Sequence, residues 1–165
     1  MVLDDFLQLN SEDLITCLEG YQQDLVRALI AASNDDYNMA ADKWLSASPS
    51  NTAQFGGDHK QSSVFREKVF EELEKFICGC DDGRYENARE ELDKQGDVTK
   101  EVIISVMSAA IGSVIGVAGA FIAPIIVLLL LALGAIVKNA WCETRNALKA
   151  QAIENTGTAS GPKND

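Results

Sequence analysis

Histidine, on which many catalytic and metal sites depend, is almost missing from this sequence. The only histidine is His59, which lies in a polar stretch away from any patterned serine or cysteine. A nucleophile needs a base within hydrogen-bond reach, and that base needs an orienting partner, but the sequence offers no such set. We therefore predict that the protein is not an enzyme and has no catalytic residue, cofactor site or metal site.

Basic residues are scarce as well. The chain has 14 lysines and arginines against 25 aspartates and glutamates, a net charge of −11. The imbalance lies in residues 1–101, which hold 10 basic and 22 acidic residues, whereas residues 102–165 hold 4 and 3. An acidic surface repels phosphate, and no basic stripe with interleaved aromatics is present. We therefore predict that nucleic acid is not a partner.

Cysteines are too few and too irregularly spaced for a disulfide framework. They are Cys17, Cys78, Cys80 and Cys142. Zinc sites use two paired clusters with wider spacing, so Cys78 and Cys80 are interpreted as ordinary reduced thiols at a helix end. The first residues also lack the basic flank and apolar core of a secretory signal. We expect reduced cysteines and a cytosolic N-terminal part.

Helical periodicity is the pattern that the sequence does contain. Residues 11–32 have apolar positions every three or four residues, and Gly20 predicts a division into two short helices. A turn at residues 34–36 precedes a third helix. The apolar positions are Leu14, Leu18, Tyr21, Leu25, Leu29, Tyr37, Ala40, Ala41, Trp44 and Leu45. The predicted fold class is all-α, with a first unit at residues 1–46.

The composition changes after this unit. Residues 47–62 are rich in Ser, Gly and Pro without apolar periodicity, which predicts a linker. Residues 63–97 predict a strongly amphipathic helix followed by a weaker charged helix. The amphipathic face, which must be buried, contains Phe65, Val69, Phe70, Leu73, Phe76 and Ile77. The acidic pairs in this region, Glu71 with Glu72, Asp81 with Asp82 and Glu90 with Glu91, are expected to be solvated.

A long apolar block fills the region 98–142. The 36 residues from Val102 to Val137 carry no charge, whereas about 18 mark a transmembrane candidate. One straight helix of this length would measure about 54 Å, against a hydrocarbon core of about 30 Å. Three arrangements are open: a hairpin that breaks near Gly119 to Pro124, with Pro124 as the break residue, a single span over about residues 117–137, and the buried centre of a soluble bundle shielded by the amphipathic helix.

Charge at the flanks favours the hairpin among these arrangements. The N-terminal part lacks an export signal, and Lys138, Arg145 and Lys149 follow the block, so both flanks are expected to be cytosolic. The predicted organisation is therefore a transmembrane hairpin at residues 98–142, followed by a polar tail at residues 143–165.

Small residues form a seam along the block at steps of three and four. The seam consists of Ser105, Ala109, Gly112, Gly116, Gly119 and Ala123. In lipid, such small-residue seams allow close backbone approach between helices. The seam predicts either packing of the two arms within one molecule or self-assembly between copies.

Within the first unit, residues 14–48 (LITCLEGYQQDLVRALIAASNDDYNMAADKWLSAS) resemble the three-helix ubiquitin-associated (UBA) family and its relatives, the CUE domains and the N-terminal module of elongation factor Ts. The matching positions are Gly20 and Tyr21 after Leu18, Ala28 and Leu29, Asn34, and Ala40 and Ala41 with Trp44 and Leu45. The chain is about one residue short before the second helix and about one long in the second turn. The resemblance implies a partner-binding surface at Gly20, Tyr21, Trp44 and Leu45, unless these aromatic and leucine side chains only form the core of a small bundle.

These observations predict a small effector in a membrane, with its N-terminal part in the cytoplasm. It would self-associate through the seam and perturb the bilayer, as a toxin or a prokaryotic antiviral defence protein does. Lipid and further copies of the chain would be its partners. The alternative is a membrane-tethered adaptor whose UBA-like bundle binds a protein.

Overall fold

The computed structural model describes residues 2–47, 59–79 and 82–157. Over these residues the chain forms nine helices and no strand, so the all-α prediction is confirmed. The helices are α1 (Val2–Phe6), α2 (Ser11–Ile15), α3 (Gly20–Ala32), α4 (Tyr37–Ala47), α5 (His59–Cys78), α6 (Glu86–Lys94), α7 (Lys100–Ile115), α8 (Gly119–Leu133) and α9 (Lys138–Gly157).

Helix α8 is the centre of the bundle. Every side chain from Phe121 to Leu131 is buried. Helix α7 packs along α8, and α2, α3, α4 and α5 cover its other sides. The amphipathic face of α5 contributes Phe65, Val69, Leu73, Phe76 and Ile77 to the same core. Because amphipathic helices bury one face each, several are needed to enclose a helix that is apolar on all sides.

The break in the apolar block lies at residues 116–118, between α7 and α8. Gly116 caps α7 in the left-handed conformation, with φ at 91°, and its N–H donates to the Gly112 carbonyl at 2.8 Å. The two helices are bent by 111° there. No single helix of the described residues is long and apolar enough to cross a bilayer; α7 and α8 meet that requirement only together, as a bent pair.

Pro124 does not form the break that the sequence predicts for it. It lies inside α8, as the sixth residue of the helix. A proline in a helix leaves the carbonyl four residues earlier without its partner, which usually kinks or ends the helix. Here that carbonyl belongs to Ala120 and accepts a hydrogen bond from the Gln22 side chain at 2.9 Å. The lost bond is therefore replaced from another helix.

Two boundaries also differ from those predicted. Helix α5 begins at His59, inside the linker predicted at 47–62, of which residues 48–58 lie outside the described part. Helix α9 occupies much of the predicted polar tail at 143–165. Its residues 147–152 are alanine, leucine, lysine and glutamine, which are strong helix formers.

The expectation of reduced cysteines is wrong for one pair. Cys78, at the end of α5, forms a disulfide with Cys142 in α9, with the Cα atoms 5.7 Å apart. The two residues are 64 positions apart, so their spacing gives no sign of the pairing. Cys17 is a buried free thiol, and Cys80 lies outside the described residues.

Candidate functional site

The candidate site is the α7–α8 unit together with the helices that cover it. Two glycines of the predicted seam set the close approach of α7 to α8. A Cβ on Gly112 would lie 2.6 Å from the Val117 carbonyl oxygen, and a Cβ on Gly119 would lie 3.0 Å from the Ala109 backbone nitrogen. These contacts leave no room for a side chain. The seam therefore packs α7 against α8 within one molecule at these positions.

The remaining seam residues have different environments. Ala123 is buried, whereas Ser105 and Ala109 are exposed, and exposed Gly116 serves as the cap of α7. The structure thus buries Gly112 and Ala123, leaves Gly119 half-buried at the edge of a groove, and leaves Ser105, Ala109 and Gly116 on the surface. Only the exposed part of the seam is free to meet another molecule.

That exposed part borders a groove of about 550 Å³. Small residues line its floor, and the turn between α2 and α3 forms the opposite wall. The lining residues are Cys17, Leu18, Glu19, Gln22, Glu101, Ile104, Ser105, Ser108, Ala109, Gly119, Ala120 and Ala123. Ser108 is 2% exposed, and its hydroxyl has no hydrogen-bond partner among the described residues. The volume is in the range of ligand pockets, and the small side chains let a helix approach closely.

Cys17 in this groove is not suited to nucleophilic chemistry. Burial raises the pKa of its thiol to about 11, and the charges of Glu101 and Asp13 act in the same direction while Lys100 opposes them. The thiol donates a hydrogen bond to the Asp13 carbonyl at 3.2 Å. Because the thiolate is the reactive form, a thiol with this pKa stays protonated and inert near neutral pH.

The four residues of the partner surface predicted from the UBA resemblance do not lie together on the outside. Gly20 and Tyr21 are exposed, Tyr21 at 66%, whereas Trp44 and Leu45 are buried. The Trp44 indole N–H donates to the Phe121 carbonyl of α8 at 3.1 Å. Trp44 and Leu45 therefore belong to the core. Any partner surface at this end is limited to Gly20, Tyr21 and their exposed neighbours.

The junction of α3 and α4 with α8 was not predicted from the sequence. Gln22 and Trp44 both donate side-chain hydrogen bonds to consecutive carbonyls of α8, at Ala120 and Phe121. Gln22 is 3% exposed, an unusual degree of burial for glutamine. Pro124 was the available signal, because a proline within an apolar helix creates a carbonyl that needs an outside donor.

A buried carboxylate joins α5 to the segment before α6. The side chain of Glu72 is fully buried, which corrects its expected solvation. It accepts hydrogen bonds from the Tyr85 hydroxyl at 2.6 Å and the Lys75 ammonium at 2.9 Å, and Arg84 lies 3.5 Å away. Burial opposes ionisation, but these hydrogen bonds and the charges of Lys75 and Arg84 outweigh it and hold the pKa of Glu72 below its usual value.

A second buried carboxylate attaches α9 to α5. Glu74 accepts a hydrogen bond from Arg145 Nε at 3.0 Å and pairs with Lys149 Nζ at 2.5 Å. The Arg145 guanidinium lies 5.5 Å from the centre of the Phe70 ring, and Trp141 meets the same ring edge-on at 6.3 Å. Together with the disulfide, these contacts fix the first twelve residues of α9.

Within the described residues, no cluster of three or more His, Cys, Asp or Glu side chains is placed to hold a metal ion. Comparison with known proteins gives no guide to the site either: no family model, curated protein or solved structure matches the chain.

Proposed function

We propose that this protein is a small membrane-active effector that stores its inserting segment inside its own bundle. On release, α7 and α8 enter the membrane as a hairpin, self-assemble and perturb the bilayer. The observation that carries the proposal is the complete burial of α8 from Phe121 to Leu131 by helices of the same chain. A helix that is apolar on all sides is suited to lipid as well as to a protein interior.

The dimensions of the two helices support perturbation rather than passive anchoring. Helices α7 and α8 contain 16 and 15 residues, so their lengths are about 24 and 22 Å. Both are shorter than the hydrocarbon core of about 30 Å. A short hydrophobic segment makes the bilayer thin around it or drives oligomerisation. A hairpin of these arms keeps both flanks, and the N-terminal part, on the cytoplasmic side.

Self-assembly in this proposal uses the groove beside α7. Ser105 and Ala109 are exposed small residues on one side of it, and Ala120 and Ala123 are on the other. A helix of a second copy fits such a surface because small side chains permit backbone contact. Gly112 and Gly119 are already used within the chain.

The UBA-like unit, α2 to α4, is proposed as the part that receives the signal. Tyr21 is exposed, and the next residue in the sequence, Gln22, donates a side-chain hydrogen bond to the Ala120 carbonyl of α8. A protein that binds at Gly20 and Tyr21 would therefore act on the helix that anchors α8. This coupling suits a toxin or a prokaryotic antiviral defence protein, in which the lipid-directed segment stays enclosed until a partner arrives.

The experiment is release of a dye from vesicles of phosphatidylcholine and phosphatidylglycerol by the full chain, together with crosslinking in the membrane fraction. We expect the wild type to release dye and crosslink into oligomers once acidic pH or a thiol reductant has opened the bundle. Ser105→Leu should reduce both because it fills the groove. Ser113→Leu is the matched control, since Ser113 is also exposed on α7 but does not line the groove.

Failure of the full chain to bind these vesicles, at neutral or acidic pH and with or without a thiol reductant, would contradict the proposal. A membrane-bound protein that neither releases dye nor crosslinks would instead indicate the alternative, a tethered adaptor. The exposed apolar residues Tyr21 and Leu25, one turn apart on α3, favour that second candidate as a protein-binding surface.

A further inference from the structure

We propose that the Cys78–Cys142 disulfide is a redox latch that keeps the α7–α8 unit enclosed, and that a dithiol reductant opens it. Its consequence at the membrane rests on the function proposed above. The effect on the fold itself, release of α9 from α5, is independent of that function and can be measured without lipid.

The disulfide surrounds the candidate inserting segment. Cys78 is the last residue of α5 and Cys142 lies in the second turn of α9, so the covalent loop between them contains all of α6, α7 and α8. While the bond is intact, the two ends of this loop stay 5.7 Å apart. The 34 residues from Lys100 to Leu133 would extend about 51 Å as one straight helix.

The oxidised chain is therefore restricted in how it can meet a bilayer. A single span would place Cys142 about 30 Å from Cys78, on the opposite side of the hydrocarbon core. The bond forbids this arrangement and forbids straightening of α7 and α8 into one helix. Only a closed bundle or a hairpin with both ends on the same side is compatible with it. Reduction removes this restriction.

Besides the bond, contacts that hold α9 to α5 include the pairing of Glu74 with Arg145 and Lys149 and the packing of Phe70 against Trp141 and Arg145. The second half of α9 adds little burial, since Leu148 and Ile153 are 51% and 71% exposed. The preceding segment is tied to the turn after α1, where the Ile136 N–H donates to the Leu7 carbonyl at 3.3 Å and the Gln8 side-chain amide donates to the Ile136 carbonyl. Loss of α9 would leave the segment after α8 held by this tie, while α8 itself stays packed against α4 and α5.

The bond is accessible to a reductant. Both cysteines are half-buried, and Cys78 borders a surface groove of about 530 Å³. Gly79, Gly83, Arg89 and Lys138 line the same groove. Structural disulfides that resist reduction are usually enclosed, whereas exposed ones are the labile and regulatory ones.

The chemical step is ordinary thiol–disulfide exchange. A thiolate of the dithiol attacks one sulfur of the Cys78–Cys142 bond, forms a mixed disulfide and expels the other cysteine as a thiolate. The second thiol of the reductant then attacks the mixed disulfide and closes the reductant's own disulfide. The reductant loses two electrons, and Cys78 and Cys142 gain them and end as thiols after taking up protons from water.

The test compares the oxidised full chain with the same chain reduced by dithiothreitol, in a Cys80→Ser background that prevents alternative pairing. Hydrogen exchange of α9 amides is measured first, and flotation with phosphatidylcholine–phosphatidylglycerol vesicles second. We expect reduction to accelerate exchange in α9 by about tenfold or more, since local opening controls exchange. The vesicle-bound fraction should rise with it, and reoxidation should reverse both changes.

Two variants separate the latch from general damage. Cys142→Ser should behave like the reduced chain without any reductant. Thr144→Ser changes an exposed residue of α9 outside the disulfide and outside the assembly groove, and should retain the full response to dithiothreitol. Unchanged exchange in α9 on reduction, or oxidised and reduced chains that both bind vesicles to the same extent, would overturn the latch. If neither form binds vesicles, the proposed function is wrong, and the exchange of α9 alone decides whether the latch exists.

Discussion

Pro124 and Gln22 show how a hydrogen bond missing from one helix is replaced by a side chain that docks another helix against it. Proline removes the N–H that would bond the Ala120 carbonyl, and the Gln22 side chain supplies the missing donor. A buried carbonyl without a partner costs about 1–3 kcal/mol, so this single bond has a large effect on the docking of α3. The neighbouring hydrogen bond, from the Trp44 indole N–H to the Phe121 carbonyl, connects α4 to α8 in the same way.

We expect Gln22→Ala to lower the free energy of unfolding by about 1–3 kcal/mol, because it leaves the Ala120 carbonyl buried and unpaired. In a Pro124→Ala background, residue 124 regains an N–H that can bond this carbonyl, so the same substitution should cost less. Urea unfolding of the four proteins gives the coupling as a double-mutant cycle. Equal costs in both backgrounds would show that the bond does not compensate for the proline.

At the scale of elements, the α7–α8 turn is a packed joint rather than a flexible connection. Gly116 provides the left-handed cap, and Gly112 and Gly119 provide the close contact between the two helices. The joint also explains why substitutions at Gly112 cannot test self-assembly. They would disturb the packing within one chain before they affected contacts between chains.

We therefore expect Gly112→Ala to reduce the unfolding free energy by about 1–3 kcal/mol, because the added Cβ would overlap the Val117 carbonyl. Gly20→Ala is a suitable control: no atom lies within 4 Å of a Cβ there, and Gly20 begins a helix. The control should be neutral or stabilising by up to about 1 kcal/mol. Thermal unfolding followed by circular dichroism measures both. A neutral Gly112→Ala would mean that the joint can open by a few tenths of an ångström without cost.

For the whole molecule, the decisive feature is an acidic shell around an apolar centre. The net charge is −11, and buried Glu72 pairs with Lys75 on the helix that covers α7 and α8. Acid that protonates Glu72 therefore removes an interaction that holds the shell in place. Stability of the bundle and access to α8 should consequently respond to pH in a defined direction.

The lowered pKa of Glu72 gives the direction in which stability changes with pH. Its pKa is lowered in the folded state, so its ionised form stabilises the fold above the unfolded pKa, which is about 4.3. That contribution is lost as the pH falls through the folded pKa. We expect Glu72→Gln to be less stable than the wild type at neutral pH, and the difference to shrink below about pH 4. Urea unfolding across this range measures it, and a constant difference at all pH values would contradict the assignment.

The sequence by itself determined the helical character, the amphipathic face of α5 and the extent of the apolar block. Each depends on local periodicity or on the absence of charge, which neighbouring residues along the chain reveal. It also marked the small-residue seam. Pro124 was identified as a point of disturbance, although its effect on the chain was misjudged.

Only the tertiary structure decided which of these segments contact one another and through which residues. In the folded chain Cys78 and Cys142 form a disulfide, and Glu72 and Trp44 lie in the interior. The Gln22 side chain donates to the Ala120 carbonyl, which has no helical partner because of Pro124, and the break in the apolar block lies at residues 116–118. These outcomes join residues tens of positions apart, and no local pattern records such pairings. Whether an apolar helix lies in protein or in lipid depends on which helices are available to cover it, and that is a property of the whole chain.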